Sequence, residues 1–243
     1  GHDNIHGEHQ QKLDVIAKDV SIQVLRGRDG VAVLGSEEAD DLLFVNTRTS
    51  DGSRYAVLFD PMDGTSNLDV AGAVGTIFSI FKIEPESSER LYPGRRQVSA
   101  GYVLYGSSTI FVLTTGAGVH MFVLDSSIGA YIRVAESIRL PEFGATYSIN
   151  EANAAGFPRG YRRYLQQCRD ENFSSRYVGA MVADVHRVLL NGGIFMYPPT
   201  QKSPGGKLRL MYEANPMGML VEQAGGSAWT DVGPILDIQP ETI

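Results

Sequence analysis

The amino-acid sequence predicts an α/β (α+β) fold in which two sheet-containing halves are sandwiched by helices. Three observations predict it. Short, strongly apolar strand-like runs are grouped in the first half, segments with helical spacing lie around and between the strands, and the pattern changes near residue 140. The 243 residues suit one large domain or two closely packed halves, which we place at 1–140 and 141–243.

From Gln10 to Leu25, apolar Leu13, Ile16, Ala17, Val20 and Val24 recur at steps of three and four, which predicts an amphipathic helix. Strand-like runs follow at Val31–Leu34, Leu42–Val45 and Tyr55–Phe59, the first running into Gly35-Ser36-Glu37-Glu38 and the last ending at Asp60. Thr76–Lys82, Val98–Tyr105 and Thr109–Thr115 are rich in β-branched and aromatic residues and read as neighbours in a well-buried sheet. Glu84–Arg96 is polar and carries Pro and Gly, a surface loop. The second half opens around Gly144–Asn150. It holds helical runs at Tyr161–Cys168 and Val182–Leu190, a strand at Ile194–Tyr197, and a helix over Leu208–Ala224 that Pro216 should kink or divide.

Composition narrows the function. Apolar residues make up 43% and charged residues 20%, ordinary for a globular chain with a sizeable core. The net charge of −7 argues against nucleic acid as a partner, because there is no basic surplus to meet its phosphates. A small phosphorylated substrate stays open, since a metal ion and a few cations can reverse the field in one cleft. A single cysteine, Cys168, excludes an internal disulfide and fits a reducing compartment. No run of about 18 apolar residues points to a membrane, and Gly1-His2-Asp3-Asn4 does not open a secretory signal, so a cytoplasmic location is expected.

The chemistry concentrates in Asp60-Pro61-Met62-Asp63-Gly64-Thr65-Ser66-Asn67. Asp60 closes an apolar strand, and Asp63 follows a proline expected to fix a turn, so both carboxylates can be aimed at one point. Gly64 lets backbone approach a ligand, and the amides and hydroxyls of Thr65, Ser66 and Asn67 can form an anion cradle. Carboxylates beside an anion cradle imply a cation between them, and Mg²⁺ is suited to bridge carboxylates and a phosphate. Read alone, the same residues also fit an Asx-type turn with solvated aspartates. Glu37 and Glu38 follow another apolar strand and could ligate metal and activate water, yet Ser36-Glu37-Glu38 is equally a helix-capping sequence. Arg209 and Glu213 could be no more than a helical i,i+4 pair. His2, His6 and His9 read as a terminus rather than a zinc site, and His186 as a hydrogen-bonded structural histidine.

Several blocks together resemble class I fructose-1,6-bisphosphatases, which share a layered sugar-phosphatase fold. They are Phe59–Asp69 with Gly75-Thr76-Ile77-Phe78, Ala100–Ser108, Tyr147–Glu151, Arg176–Asp184, Gly192–Pro198 and, most strongly, Gly206–Met217. They occur in the family's order over nearly the whole chain, and Gly7–Asp14 looks like the bacterial branch. The resemblance implies hydrolysis of fructose 1,6-bisphosphate, with sedoheptulose 1,7-bisphosphatase as the alternative and a non-catalytic sugar-phosphate-binding relative further off. Glu37, Asp60, Asp63, Glu213, the Met62 carbonyl and Glu8 would bind two or three Mg²⁺ or Mn²⁺ ions. Glu38 and Asp14 would activate water, and Arg209 would lie near the transferred phosphate. Asp63, Gly64, Thr65 and Ser66 would hold the 1-phosphate end. Asn150, Tyr177, Tyr197 and Lys207 would bind the sugar and 6-phosphate. Arg176 would come from a neighbouring subunit of a homotetramer or homodimer.

The resemblance also has departures. The family's leading helical segment, which supplies much of an AMP site, has no counterpart here, although Arg54, Tyr55 and Lys82 fall where other AMP contacts lie. Asn153 stands where animal members have a substrate-contacting tyrosine. The family's last strand and helix are also unmatched. The sequence is thus expected to be the core of a longer protein, or only its ordered part, with apolar surface exposed at both ends.

Overall fold

The computed structural model describes residues 12–39, 41–45, 52–84, 91–201 and 203–242. Its larger sheet contains β1 (Val31–Ser36), β2 (Leu43–Phe44), β3 (Tyr55–Asp63), β4 (Val74–Lys82), β5 (Gln97–Tyr105), β6 (Thr109–Thr114), β7 (Val119–Asp125) and β8 (Ala130–Ala135). The eight strands lie in the order β2-β1-β3-β4-β5-β6-β7-β8. From β3 onward each neighbour is antiparallel, whereas β1 and β3 run parallel with Ser36 opposite Phe59. The parallel pair brings the C-terminal ends of β1 and β3 to one edge, where the Glu37 amide donates to the Phe59 carbonyl at 3.0 Å. Glu37 is thereby fixed beside Asp60.

Alternation along β4 serves both faces of this sheet. Ile77 joins a core with Tyr102, Val112 and Val119 beneath α3 (Met181–Asn191) and α4 (Asn215–Gln223). Phe78 and Ile80 point the other way and pack with Leu34, Val57 and Phe59, beside Ile22 and Leu25 of α1 (Lys12–Leu25). Ile77 is fully buried. Its replacement by alanine leaves a cavity, so Ile77→Ala is expected to cost about 2–5 kcal/mol, read as a lower urea midpoint with an unchanged slope.

The second sheet is small and wholly parallel: β9 (Thr146–Ser148) lies between β10 (Ser174–Ser175) and β11 (Ile194–Phe195). α2 (Arg159–Asp170) covers it through Leu165 and Cys168, which pack with Tyr147, Ile149, Phe157 and Met196. Because all three strands run the same way, their C-terminal ends open onto one edge, the usual place for a ligand in a parallel sheet. Asn150, Tyr177 and Tyr197 each lie two residues past one of those ends.

Three expectations are corrected by the structure, and two strands were not foreseen. The stripe read as the apolar face of α1 is turned outward: Leu13, Ile16, Val20 and Val24 are each about half exposed, while Asp14 is buried. The register of α1 is set by seating Ile22 and Leu25 against the sheet. β7 and β8 were absent from the sequence reading, although Met121–Leu124 is a short apolar run; their side chains are mostly half-buried or exposed. The segment from Leu208 is not one kinked helix. Leu210–Ala214 forms a π turn, with the Ala214 amide donating to the Arg209 carbonyl, and α4 starts at Asn215. Pro216 sits in the first turn of α4, where its missing N–H costs nothing. Finally, β3 does not close at Asp60; it continues through Pro61 to Asp63.

Candidate active site and metal centre

The extension of β3 explains how two aspartates three residues apart share a face. In a regular strand, residues i and i+3 point to opposite sides. Here Asp60 pairs with Ile77 and Asp63 with Gly75, so Pro61 and Met62 oppose the single residue Thr76. This is a β-bulge, and the extra residue returns Asp63 to the side of Asp60. The bulge is pinned from both strands. The Met62 amide donates to Asp60 Oδ1 at 2.9 Å, and the Thr76 hydroxyl donates to the Pro61 carbonyl at 2.9 Å. The turn expected at Pro61 therefore falls at Gly64, where φ is +82°. A Cβ at Gly64 would also collide with the Cβ of Ala180. Gly64→Ala is expected to destabilise by about 1–3 kcal/mol from backbone strain alone, measured by denaturant unfolding, and to lower activity by displacing Thr65 and Ser66.

The π turn delivers the third carboxylate. Ligand oxygens of Asp60, Asp63 and Glu213 all lie within 4.8 Å of one another, and all three residues are buried. Glu37 adjoins them, ion-paired with Arg209 Nε, and Arg209 Nη1 lies 3.8 Å from Glu213 Oε2. The Arg209 amide also donates to Glu213 Oε2 at 2.6 Å. The i,i+4 pair is therefore real, but it sits over a carboxylate cluster and not on a solvated helix face.

Burial sets the electrostatics. It raises Glu37 to about 8 against the opposing pull of Arg209, with Glu38 and Glu213 adding to the rise. Burial likewise drives Asp60 well above the carboxylate range, reinforced by the charges of Asp63, Glu213 and Glu37. Asp63 is raised to about 6 by burial, although the amides of Val182 and Met181 donate to it and oppose the rise. Buried carboxylates at such separations are stable as anions only with a compensating cation. Hard oxygen donors in this number fit Mg²⁺ or Mn²⁺ and suit neither a thiolate nor an imidazole metal.

These side chains line a cleft of about 750 Å³. Its wall holds Glu37, Glu38, Asp60, Met62, Asp63, Gly64, Thr65, Ser66, Arg209 and Glu213 together with Asn150, Tyr177, Tyr197 and Lys207. One cleft thus combines carboxylates from the large sheet and the π turn with hydroxyl and amide donors past the strands of the small sheet and the ammonium of Lys207.

Models of two adjoining families of sequence match the chain. Residues 1–136 match the fructose-1-6-bisphosphatase N-terminal domain, and residues 140–243 match its C-terminal domain. The chain belongs to the fructose-1,6-bisphosphatase family. Its fold is also that of solved members. Over 100% of this chain and 78% of the other, it is similar to a fructose-1,6-bisphosphatase from Leishmania major in holo form, with 39% identity and a TM-score of 0.93. The apo form of the Leishmania major enzyme gives 38% identity and a TM-score of 0.88 over 96% of this chain and 78% of that one. Family membership makes this fructose-1,6-bisphosphatase relative a phosphatase, an enzyme acting on a sugar bisphosphate through a metal-dependent site.

The structure places the remaining expected residues as follows. Asp14 is buried on α1, which packs against β1 and β3, and it is not among the residues lining the cleft. Arg176 is exposed beside the cleft, its amide donating to the Tyr147 carbonyl and its guanidinium to the Ser175 carbonyl. Arg54, Tyr55 and Lys82 meet at the start of β3 and the end of β4, with Tyr55 opposite Lys82, at the far end of β3 from Asp63. Glu8 and the terminal histidines lie outside the described residues. His186 is structural, its Nδ1 2.7 Å from the Tyr102 hydroxyl, and burial, helped by the charge of Arg187, lowers its pKa and favours the neutral ring. Sequence reasoning passed over Asp184, which is buried and lines the cleft from the first turn of α3. Its signal was an acid flanked by apolar residues, Met181-Val182-Ala183 before it and Val185 after it.

Proposed function

We propose that the chain hydrolyses fructose 1,6-bisphosphate to fructose 6-phosphate and inorganic phosphate. The observation that carries this reading is the pairing, in one cleft, of the Asp60–Asp63–Glu213 cluster with Lys207, Tyr177, Tyr197 and Asn150. A phosphomonoesterase needs the first set, and a second phosphate explains the other.

Asp60, Asp63, Glu213, Glu37 and the Met62 carbonyl, with Glu8, are the proposed ligands of two or three Mg²⁺ or Mn²⁺ ions. When bound, such ions polarise the phosphoryl oxygens and lower the pKa of coordinated water. Gly64 caps a two-turn 3₁₀ helix that Thr65 and Ser66 open, and its first amides have no acceptor within the helix and suit the 1-phosphate. Glu38, which lines the cleft, is the proposed acceptor of the proton lost by the attacking water, and Asp14, buried on α1 outside that lining, is proposed to support this activation indirectly. That water adds to phosphorus opposite the C1 oxygen, the P–O bond to C1 breaks, and its electron pair leaves with the sugar alkoxide, which takes up a proton. Arg209 offsets negative charge at the transferred group. Lys207 meets the 6-phosphate as a point charge while Tyr177, Tyr197 and Asn150 orient it, and Arg176 of an adjoining subunit adds a forked donor in a homodimer or homotetramer. Arg54, Tyr55 and Lys82 are proposed to form part of an AMP site. We retain the division at residue 140 and the cytoplasmic location as part of this reading. Among the described residues no helix is long and apolar enough to cross a membrane.

Phosphate release tests the substrate assignment. With Mg²⁺, kcat/KM on fructose 1,6-bisphosphate is expected to exceed that on sedoheptulose 1,7-bisphosphate. The reverse order would move the assignment to the seven-carbon sugar.

A further inference from the structure

The segment joining β10 to α3 is fastened chiefly by two side chains outside the metal cluster, Asp184 and Asn67. Asp184, 2% exposed, accepts the Val178 amide at Oδ1 over 2.9 Å and the Gly179 amide at Oδ2 over 3.1 Å. Asn67, three residues past Gly64, donates from Nδ2 to the Val178 carbonyl at 3.3 Å and to the Ala73 carbonyl at 3.0 Å. Just beyond this segment, in the first turn of α3, the Val182 amide donates to Asp63 Oδ2 at 2.7 Å. Both polar groups of the Val178 backbone are thus engaged by side chains, and Gly179, at φ +83°, lets the chain reverse between those anchors. Tyr177 stands immediately before them and shares a side-chain hydrogen bond with Asn150.

We propose that Asp184 is a positioning residue that fixes Tyr177 for the distal phosphate of the substrate, and that Asn67 ties this segment to the Gly64–Ser66 turn at the other end of the site. The inference rests on the assignment of Tyr177 to the distal phosphate. A carboxylate is required because both of its oxygens accept backbone amides. An asparagine there offers one acceptor and one donor, and its NH₂ would face an N–H. The unpaired amide would then be free to leave its place, carrying Tyr177 with it. The tie through Asn67 makes the two phosphate-binding ends share one backbone segment, so ordering at one end favours order at the other.

The test compares fructose 1,6-bisphosphate with fructose 1-phosphate, which lacks the distal phosphate. In Asp184→Asn, KM for the bisphosphate should rise about tenfold with kcat nearly unchanged, the scale of one lost charge-assisted hydrogen bond. Turnover of fructose 1-phosphate should stay at the unmodified level, so the ratio of the two kcat/KM values falls. Tyr177→Phe serves as the reference and should lower the same ratio. A lowered ratio in Tyr177→Phe but not in Asp184→Asn overturns the positioning role alone. An unchanged ratio in both overturns the distal-phosphate assignment beneath it. Equal losses on both substrates in Asp184→Asn would make Asp184 merely structural and also overturn the proposal. If Asp184→Asn does not fold, Asn67→Leu decides the matter: a lowered ratio supports the tie, and an unchanged one refutes it.

Discussion

Replacing Glu213 by glutamine lowers divalent-cation-dependent phosphate release by more than about 100-fold while leaving the fold intact. Loss of an outer-shell partner of a metal typically costs about 10–100-fold, so loss of a charged member of the cluster should exceed that range. The amide keeps the volume of the side chain and one oxygen but removes the charge that Asp60 and Asp63 share with a cation. The Arg209 amide can still donate to the remaining oxygen, which keeps the π turn closed. Asp60→Asn is expected to behave in the same way. Circular dichroism would confirm the fold, and calorimetric titration with Mg²⁺ would show weakened binding. Full activity in either variant would remove these side chains from the metal site.

The second large effect is a stability that depends on pH and metal together. Carboxylates of an unfolded chain titrate near 4, whereas burial raises Asp63 to about 6 and Glu37 to about 8 and lifts Asp60 as well. The folded, metal-free protein therefore holds protons that the unfolded chain has already released. Their contribution to stability is full below about 4 and is lost as pH rises through about 6 and then about 8. In EDTA, Tm should accordingly fall from mildly acidic to mildly alkaline pH. A divalent cation favours the ionised carboxylates, so the rise in Tm produced by saturating Mg²⁺ should be larger near pH 8 than near pH 6. Differential scanning fluorimetry at constant ionic strength measures both curves. An equal Mg²⁺-induced rise at the two pH values would contradict the electrostatics described here.

Much of this site is legible from sequence because its chemistry follows strand ends. Asp60 and Glu37 each follow an apolar run, and two parallel strands necessarily place such residues at one edge. The bulge at Pro61–Met62 was not legible, since the sequence reading spent the proline on a turn; only the register against Gly75 and Ile77 shows the extra residue. Glu213 was legible through its neighbours in Gly206–Met217, but not the π turn that carries it, because helical spacing looks the same until the Ala214 amide is seen to reach Arg209. α1 shows the limit of periodicity. Leu13, Ile16, Val20 and Val24 make a regular stripe, yet tertiary packing buries Asp14 and leaves that stripe half exposed. Asp184 was missed for a related reason: an acid on a helix reads as surface, and its two amide partners are contributed by a loop whose path no local pattern reveals.

The most direct test of the whole account is the identity of the products. Purified chain incubated with fructose 1,6-bisphosphate and Mg²⁺ can be followed by phosphorus NMR. The account predicts inorganic phosphate and fructose 6-phosphate in equal amounts, with no release when EDTA replaces the cation. Fructose 1-phosphate as the sugar product, or release that does not depend on a divalent cation, would contradict it.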